Sequence, residues 1–437
     1  MSRATRNRRS FLRVGTASLF GVSLSEITSR LQAAGPVASE VSSKSMILLW
    51  LDGAPSTIDM WDPKPDAPDN IRGDFATIST NVPGVRISEH LPKTAEILNR
   101  CTLIRSLQHN IPEHGPGSQL MLTGHQPSPA LDYPSLGSLA ARLTTGTFAI
   151  PSNIAFHKPA ADSAGYLGSA WNAFELENDS DNIPIGLSLD PSADVERFRR
   201  RVALRDRFDK QLDRLGSNGV ADSLKQFQQQ AASVLEQDTV RSALSIERES
   251  EAIREMYGQR FVFGRNALKA RRLIEAGARF VTVGFSGWDT HSNNFTQLRN
   301  NLLPQLDRVV HALVTDLNQR GMLESTIVCC CGEFGRTPNV NGSAGRDHWS
   351  KAFSVLLAGG GFQEGRVYGQ TDRLGHEPSE DPCTPAELSA TLLKQLGIDT
   401  NQTITSSSGR PIRVLEASGI PVGSPSNTAA NGFTQPH

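Results

Sequence analysis

The chain has 437 residues, with 44 Lys plus Arg against 45 Asp plus Glu and a formal charge of -1. That length suits one large α/β domain carrying an insertion. The near-neutral balance gives no basic face for nucleic acid, so a nucleic-acid partner is not expected.

The first element in chain order is "RNRRSFLRVGTASLFGVSL", with Arg8 and Arg9 ahead of Phe11, Leu12 and a moderately apolar run. It has the order of a twin-arginine export signal, read here as residues 1–38 with a cleavage region near "LQAAGPVASE". The twin-arginine translocation machinery is therefore one expected partner. No later run approaches the roughly 20 apolar residues of a membrane helix, so the expected location is periplasmic or extracellular with no stable span after cleavage. Five cysteines, three of them the consecutive Cys329, Cys330 and Cys331, exclude a disulfide scaffold and read as small apolar residues of a buried strand.

"SMILLWLDGAPSTIDMWDPKPDAP" predicts a buried parallel strand over Met46 to Leu51, ending at Asp52 and Gly53. "HLPKTAEILNRCTLIRSL" reads as a helix and then a strand around Cys101 to Ile104. "HGPGSQLMLTGHQP" opens at His114 as a tight turn feeding a short apolar helix that stops at Gly124. Charged and apolar residues alternate at helical spacing over 194–277, which predicts an α-helical insertion with solvated charged faces. The sheet resumes at "ARFVTVGF", a helix runs from Leu302 through Leu317, "STIVCCCGEFGRTPN" repeats the strand-then-acid arrangement, and "FSVLLAGGGF" supplies a further strand. This alternation predicts an α/β fold: a doubly wound, mostly parallel sheet with helices on both faces, over residues 44–405. Residues 406–437, rich in Ser, Pro, Gly, Asn and Thr, read as a partly disordered tail.

Four strand ends then carry polar side chains of one kind: Asp52; Asp289 and His291 in "GWDTHSNN"; Glu333 in "GEFGRTP"; Asp347 and His348 in "GRDHW". In open α/β sheets ligands bind outside the carboxyl ends of strands, so these residues are candidate ligands for divalent metal, one ion or two. Zn, Mn, Ca and Mg all fall within the range that oxygen and imidazole donors serve. Arg336 and Arg346 have two roles open, clamping a substrate oxyanion or pairing with a local carboxylate. Ser56 and Thr57 are read as turn caps, and His109 as a spare ligand or a structural histidine.

"LLWLDGAPSTIDMWDPKPDAP", "WDTHSNNF", "GEFGRTP" and "GRDHW" resemble the signatures of the DUF1501 family, exported proteins of uncharacterised function placed near the alkaline phosphatase and sulfatase superfamily. The resemblance spans about Met46 to Ile398. It implies an alkaline phosphatase-like fold with a two-metal site at the strand ends, and hydrolysis of a phosphate or sulfate ester. An anionic ester, or a sulfated or phosphorylated glycan, is then the expected partner. Under that resemblance Asp52 matches the metal-binding Asp that ends the first strand, Asp289 and His291 match the Asp and His of one metal, and His348 matches a late histidine ligand. Glu333 stands where the superfamily has the Asp of an Asp-His-Gly run, with Phe334 in place of the His. Pro116, Leu122, Thr123 and Gly124 follow His114 as their counterparts follow the sulfatase nucleophile, so His114 occupies the nucleophile position without a hydroxyl or thiol. Three roles stay open for His114: metal ligand, nucleophile forming a phosphohistidine, or inert relic. The competing class is a catalytically silent binding or structural module of the cell envelope.

Overall fold

The computed structural model describes residues 44–144, 150–176, 238–406 and 409–422. The export signal, residues 194–237 of the expected insertion and the last part of the tail lie outside the described residues.

The apolar run at the start of the domain forms β1 (Ser45–Asp52), and its alternate side chains enter two different cores. Ile47, Leu49 and Leu51 face one, while Met46, Leu48 and Trp50 face the other. A strand buried on both faces cannot show polar alternation, which is why this stretch reads as continuously apolar. β1 is flanked in parallel by β7 (Phe280–Ser286) and β8 (Thr326–Cys331). The eight-stranded sheet has the order β12-β4-β11-β8-β1-β7-β5-β6, with β4 at Cys101–Leu107, β5 at Asn153–Phe156, β6 at Phe174–Leu176, β11 at Phe353–Ala358 and β12 at Arg366–Tyr368, while β2 (Thr77–Ser79) pairs with β3 (Arg86–Ser88) and β9 (Gly335–Arg336) with β10 (His348–Trp349) outside it. The cysteine triplet is the body of β8, with Cys330 in one core and Cys329 and Cys331 in the other, and all five cysteines are buried and free.

Helices cover both faces. On one side α6 (Val262–Glu275) and α7 (Leu303–Gln319) bring Leu268, Leu273, Val310 and Leu313 to the core shared with Ile47 and Leu49. On the other, α3 (Leu136–Leu143) and α8 (Pro385–Gln395) bring Leu136, Leu139, Leu388 and Leu392 to the core shared with Leu48 and Trp50. The sheet is thus mostly parallel and doubly covered.

Two boundaries differ from the sequence reading. Within the stretch expected as an insertion, α4 (Asp238–Leu244), α5 (Glu251–Tyr257) and α6 bury Val240, Ala243, Tyr257 and Leu268 in the main core, so this part is a layer of the domain itself. Its exposed charges mask a packed face, as they do on any amphipathic helix. In the expected tail, Pro411–Arg413 pairs with Thr403–Thr405, and Val414, Leu415, Ile420 and Val422 are buried. These few apolar residues are diluted among turn formers, which gives them no periodic signal.

β11 runs antiparallel to both of its neighbours, β8 and β4. The chain therefore leaves β8 at the carboxyl edge of the sheet, travels through 332–352, and re-enters β11 at the same edge. All of "GEFGRTP" and "GRDHW" is in this way kept beside the ends of β1 and β7.

Candidate functional site

His114 is the first residue of α2 (His114–Thr123), a helix closed by Gly124 in the left-handed conformation. Its Nδ1–H donates to Glu333 Oε1 at 2.6 Å, and the same oxygen accepts the Gly53 N–H at 3.1 Å. Gly53 has φ +108°, and a Cβ there would lie 2.6 Å from the Asp289 nitrogen, so the β1 and β7 loops meet only because this residue is glycine. Glu333 is 1 % exposed. Its backbone oxygen accepts from His109 Nε2–H at 2.8 Å, while His109 Nδ1 accepts from the Ile111 N–H at 3.1 Å. Both nitrogens of His109 are thereby spent on the loop, which gives it the structural role of the two considered.

Asp289 Oδ1 is the common point of the site. It lies 3.5 Å from His114 Nε2, 3.1 Å from His291 Nε2 and 3.4 Å from His348 Nε2. The last two nitrogens are 3.0 Å apart. Each imidazole is turned by an acceptor on its other nitrogen: His114 by Glu333, His291 by Asp347 Oδ1 at 2.7 Å, and His348 by the Pro112 carbonyl at 2.7 Å. With each Nδ1–H donating outward, each Nε2 is left to face the centre, the arrangement that metal-binding histidines require.

The electrostatics follow the same pairs. The hydrogen bond to Glu333 raises the His114 pKa, against desolvation and with help from the Asp289 charge. Burial lowers that of His348, aided by the nearby Arg336 and His114. Burial pushes the Asp289 carboxyl up, but the Arg336 guanidinium holds it below the usual carboxylate range. The His291 hydrogen bond lowers Asp347 likewise.

Among the described residues, His114, Asp289 and His348 form the group whose ligand atoms all lie within 4.8 Å of one another, with His291 beside it. His114 Nε2 and Glu333 Oε2 are buried and have no hydrogen-bond partner. An orphaned imidazole nitrogen facing a carboxylate and two further imidazoles fits a cation, and that donor set is richer in nitrogen than the sequence suggests.

The other expected site residues fall elsewhere. Asp52 ends β1 as expected but stands apart from the cluster, with Oδ1 accepting Trp50 Nε1–H at 3.4 Å and Oδ2 4.0 Å from His157 Nε2. Glu333 and Asp347 sit behind histidines and turn them. Arg336 has Nε on the Ala54 carbonyl at 2.8 Å, with Nη2 on the Gly53 carbonyl and, at 2.5 Å, on Asp289 Oδ1. Arg346 is 0 % exposed and forks onto Asp59 at 2.8 Å through both Nε and Nη2. Both arginines thus take the carboxylate-pairing role, with their donors committed inside the loop instead of offered to a substrate oxyanion. Ser56 Oγ–H donates to Asp59 and Thr57 Oγ1 accepts the Ser354 N–H, so both are structural.

Three site residues escape the sequence reading. His157 follows β5 in the left-handed region at φ 53°, and its one signal is its place directly after the apolar "SNIAF", the rule that singled out Asp52. Asp59 and Asn294 lie within two of the motifs but are buried, and no spacing rule singles them out there.

A mostly parallel α/β sheet with a histidine and aspartate cluster at its carboxyl edge defines the class of protein. The family described as Protein of unknown function (DUF1501) matches residues 43–422, and the chain belongs to that family. No curated protein matches the sequence. Among solved structures it is similar to the PsFucS1 sulfatase from Pseudoalteromonas sp. (TM-score 0.37, 12% identity, 90% of this chain and 72% of that one). It is similar also to the alkaline phosphatase from the Antarctic bacterium TAB5 (TM-score 0.35, 12% identity, 82% of this chain and 99% of that one). The lipoteichoic acid synthase LtaP from Listeria monocytogenes matches with a TM-score of 0.33 and 11% identity, over 83% of this chain and 74% of that one. No described helix is long and apolar enough to cross a membrane.

Proposed function

We propose that this chain is an exported, metal-dependent hydrolase of a phosphate or sulfate ester, with His114, Asp289, His291 and His348 as the residues that hold the cation. The observation that carries the reading is the convergence of three imidazole Nε2 atoms on Asp289 Oδ1, at 3.5, 3.1 and 3.4 Å, with the His114 nitrogen buried and unpartnered. Imidazole-rich sets favour Zn or Fe over Mn, Mg and Ca, which prefer oxygen-rich shells. A divalent cation there would polarise the ester oxygen as a Lewis acid and offset the charge that develops in the transition state. Glu333 and Asp347 keep His114 and His291 in the ligand tautomer. The ester class rests on the resemblance of the strand-end motifs to the superfamily, and the location on the arginine pair. A sulfated or phosphorylated glycan is the substrate that an exported enzyme of this kind would meet.

One observation favours the second reading, a catalytically silent binding or structural module. Arg336 Nη2 lies 2.5 Å from the same Asp289 oxygen, where a guanidinium competes with a cation for the carboxylate. Elemental analysis of the protein after native export, followed by a panel of phosphate and sulfate esters with and without chelator, separates the two. Stoichiometric transition metal and chelator-sensitive turnover are expected. Metal-free protein that turns over no ester refutes the hydrolase reading.

A further inference from the structure

Asp59 touches none of the histidines, yet it is 3 % exposed and collects four donors. Oδ2 accepts from Ser56 Oγ–H at 2.6 Å, Asn294 Nδ2–H at 2.8 Å and Arg346 Nε–H at 2.8 Å, and Oδ1 accepts from Arg346 Nη2–H at 2.8 Å. From here two arms run to the site. In the first, Asn294 Oδ1 accepts from Thr290 Oγ1–H at 2.6 Å, and Thr290 is the residue between Asp289 and His291. In the second, Arg346 directly precedes Asp347 and His348 and anchors its own loop through the Thr337 carbonyl at 3.1 Å and the Pro338 carbonyl. The arms are also joined to each other, because the Arg346 N–H donates to the Thr290 carbonyl at 3.1 Å.

We propose that Asp59 is a positioning residue: through Asn294 and Arg346 it sets the distance between the Asp289/His291 pair and the Asp347/His348 pair, and so the geometry in which a cation is held. The inference rests on the metal-centre reading above. The two loops also meet directly, with the Asn293 N–H on the Ser343 carbonyl at 3.0 Å and the Asn294 N–H on the Ala344 carbonyl at 2.9 Å, and Asp59 is the buried charge on which side chains from both converge. A fully buried ion pair with both partners satisfied tolerates little displacement, since moving either loop leaves an uncompensated charge in the interior. The bidentate fork adds direction as well as energy, which a lysine cannot reproduce. His114 belongs to a separate limb, tied to Glu333 and Gly53, so the inference concerns only part of the donor set.

The test is Co(II) titration of the full chain, read by affinity against a chelator and by the visible ligand-field spectrum of the bound ion. The parent is expected to take up Co(II) with a defined spectrum. Asp59→Asn, which keeps shape and removes charge, and Arg346→Lys, which keeps charge and removes the fork, should each weaken Co(II) by roughly 10-fold or more, in line with the loss of outer-shell partners at other sites. Both should also change the spectrum. Thr290→Val is close to isosteric and should change the spectrum in the same sense with a smaller loss of affinity, which decides the matter if Asp59→Asn does not fold. Cys330→Ala, a cavity in the core away from the network, should lower thermal stability without altering the spectrum. If the folded variants keep the parent's affinity and spectrum, or if Cys330→Ala changes the spectrum as they do, Asp59 has no positioning role. A parent that binds no Co(II) overturns the metal-centre reading and this inference together, whereas binding by the parent with indifferent variants overturns the inference alone.

Discussion

Replacing Glu333 with glutamine is the sharpest single probe of the site, because it alters one buried carboxylate and nothing that faces solvent. Glu333 Oε1 accepts from His114 Nδ1–H at 2.6 Å and from the Gly53 N–H at 3.1 Å. Hydrogen bonds to a charged group contribute about 1.5–3 kcal/mol. Loss of a partner that orients a ligating histidine costs about 10- to 100-fold in metal affinity, or about 1.4–2.8 kcal/mol. The two ranges overlap near about 2 kcal/mol, so Glu333→Gln should weaken Co(II) or Zn(II) by roughly 30-fold in a chelator competition. The amide would also place an N–H₂ where Oε2 is now buried without a partner, which adds instability.

The same substitution has a pH signature in the metal-free protein. The Glu333 hydrogen bond is the first cause of the raised His114 pKa. A histidine whose folded pKa lies above its unfolded value contributes stability that is fully present below about pH 6.5 and is lost as the pH rises through the folded value. With chelator present, the gap in Tm between parent and Glu333→Gln should therefore be widest below about pH 6.5 and narrow as the pH rises through the raised folded value. Equal metal affinity in the two proteins, or a gap that widens with rising pH, would refute the reasoning.

Gly284→Ala tests the packing beneath the site: a Cβ there would lie 2.2 Å from the His157 carbonyl, a backbone atom that cannot rotate away. A loss of about 1–3 kcal/mol is expected from urea unfolding, and a variant as stable as the parent would show that β5 and β7 are looser than described. Glu249 pairs with Arg271 at 2.8 Å, with Arg272, and with Arg320 at 3.1 Å. Burial pushes its carboxyl up, but the Arg271 and Arg272 guanidinium groups hold it below the ordinary value. Its stabilisation is therefore present above about pH 4.3 and lost as the pH falls through the lowered value, so the Tm advantage of the parent over Glu249→Gln should persist at neutrality and disappear in acid. Changing Arg8 and Arg9 to lysine should leave precursor in the cytoplasm by fractionation, and normal appearance of mature protein in the envelope would rule out the twin-arginine reading.

The parts of the fold that were legible in the sequence are those in which burial on both faces leaves unbroken apolar runs. Met46 to Leu51 and Thr326 to Cys331 read as central strands because no position in either run faces water. Phe353–Ala358 was legible as a strand but not as an antiparallel one, since a doubly buried strand has the same composition in either direction. Its reversal decides where its glycines fall: Gly359 and Gly360 follow the strand at the edge away from the site, next to Leu323 and Ile327, and Gly361 next to Lys44. Asp59 and Asn294 were invisible for a different reason. Their function is to satisfy each other and Arg346 across 235 and 287 residues of chain, and no local pattern marks a partner at that separation.

Glu333 and Asp347 show what spacing cannot decide. A carboxylate in a loop at this edge of the sheet, two residues past β8 for Glu333 and directly before His348 for Asp347, can bind a cation directly, or it can accept an imidazole N–H and hand the other ring nitrogen to the cation. Both uses need the same residue in the same loop. The difference lies in whether a histidine from another loop reaches the carboxylate first. His114 arrives from α2 at 2.6 Å and His291 from the β7 loop at 2.7 Å, and each takes up the oxygen that the sequence offered as a ligand. Every carboxylate used in this way moves one position of the donor set from oxygen to nitrogen. A site that reads as rich in acids along the chain thus becomes one carboxylate among three imidazoles in space. Preference should follow the spatial set and not the linear one, which places Zn or Fe ahead of Mn, Mg and Ca for this centre.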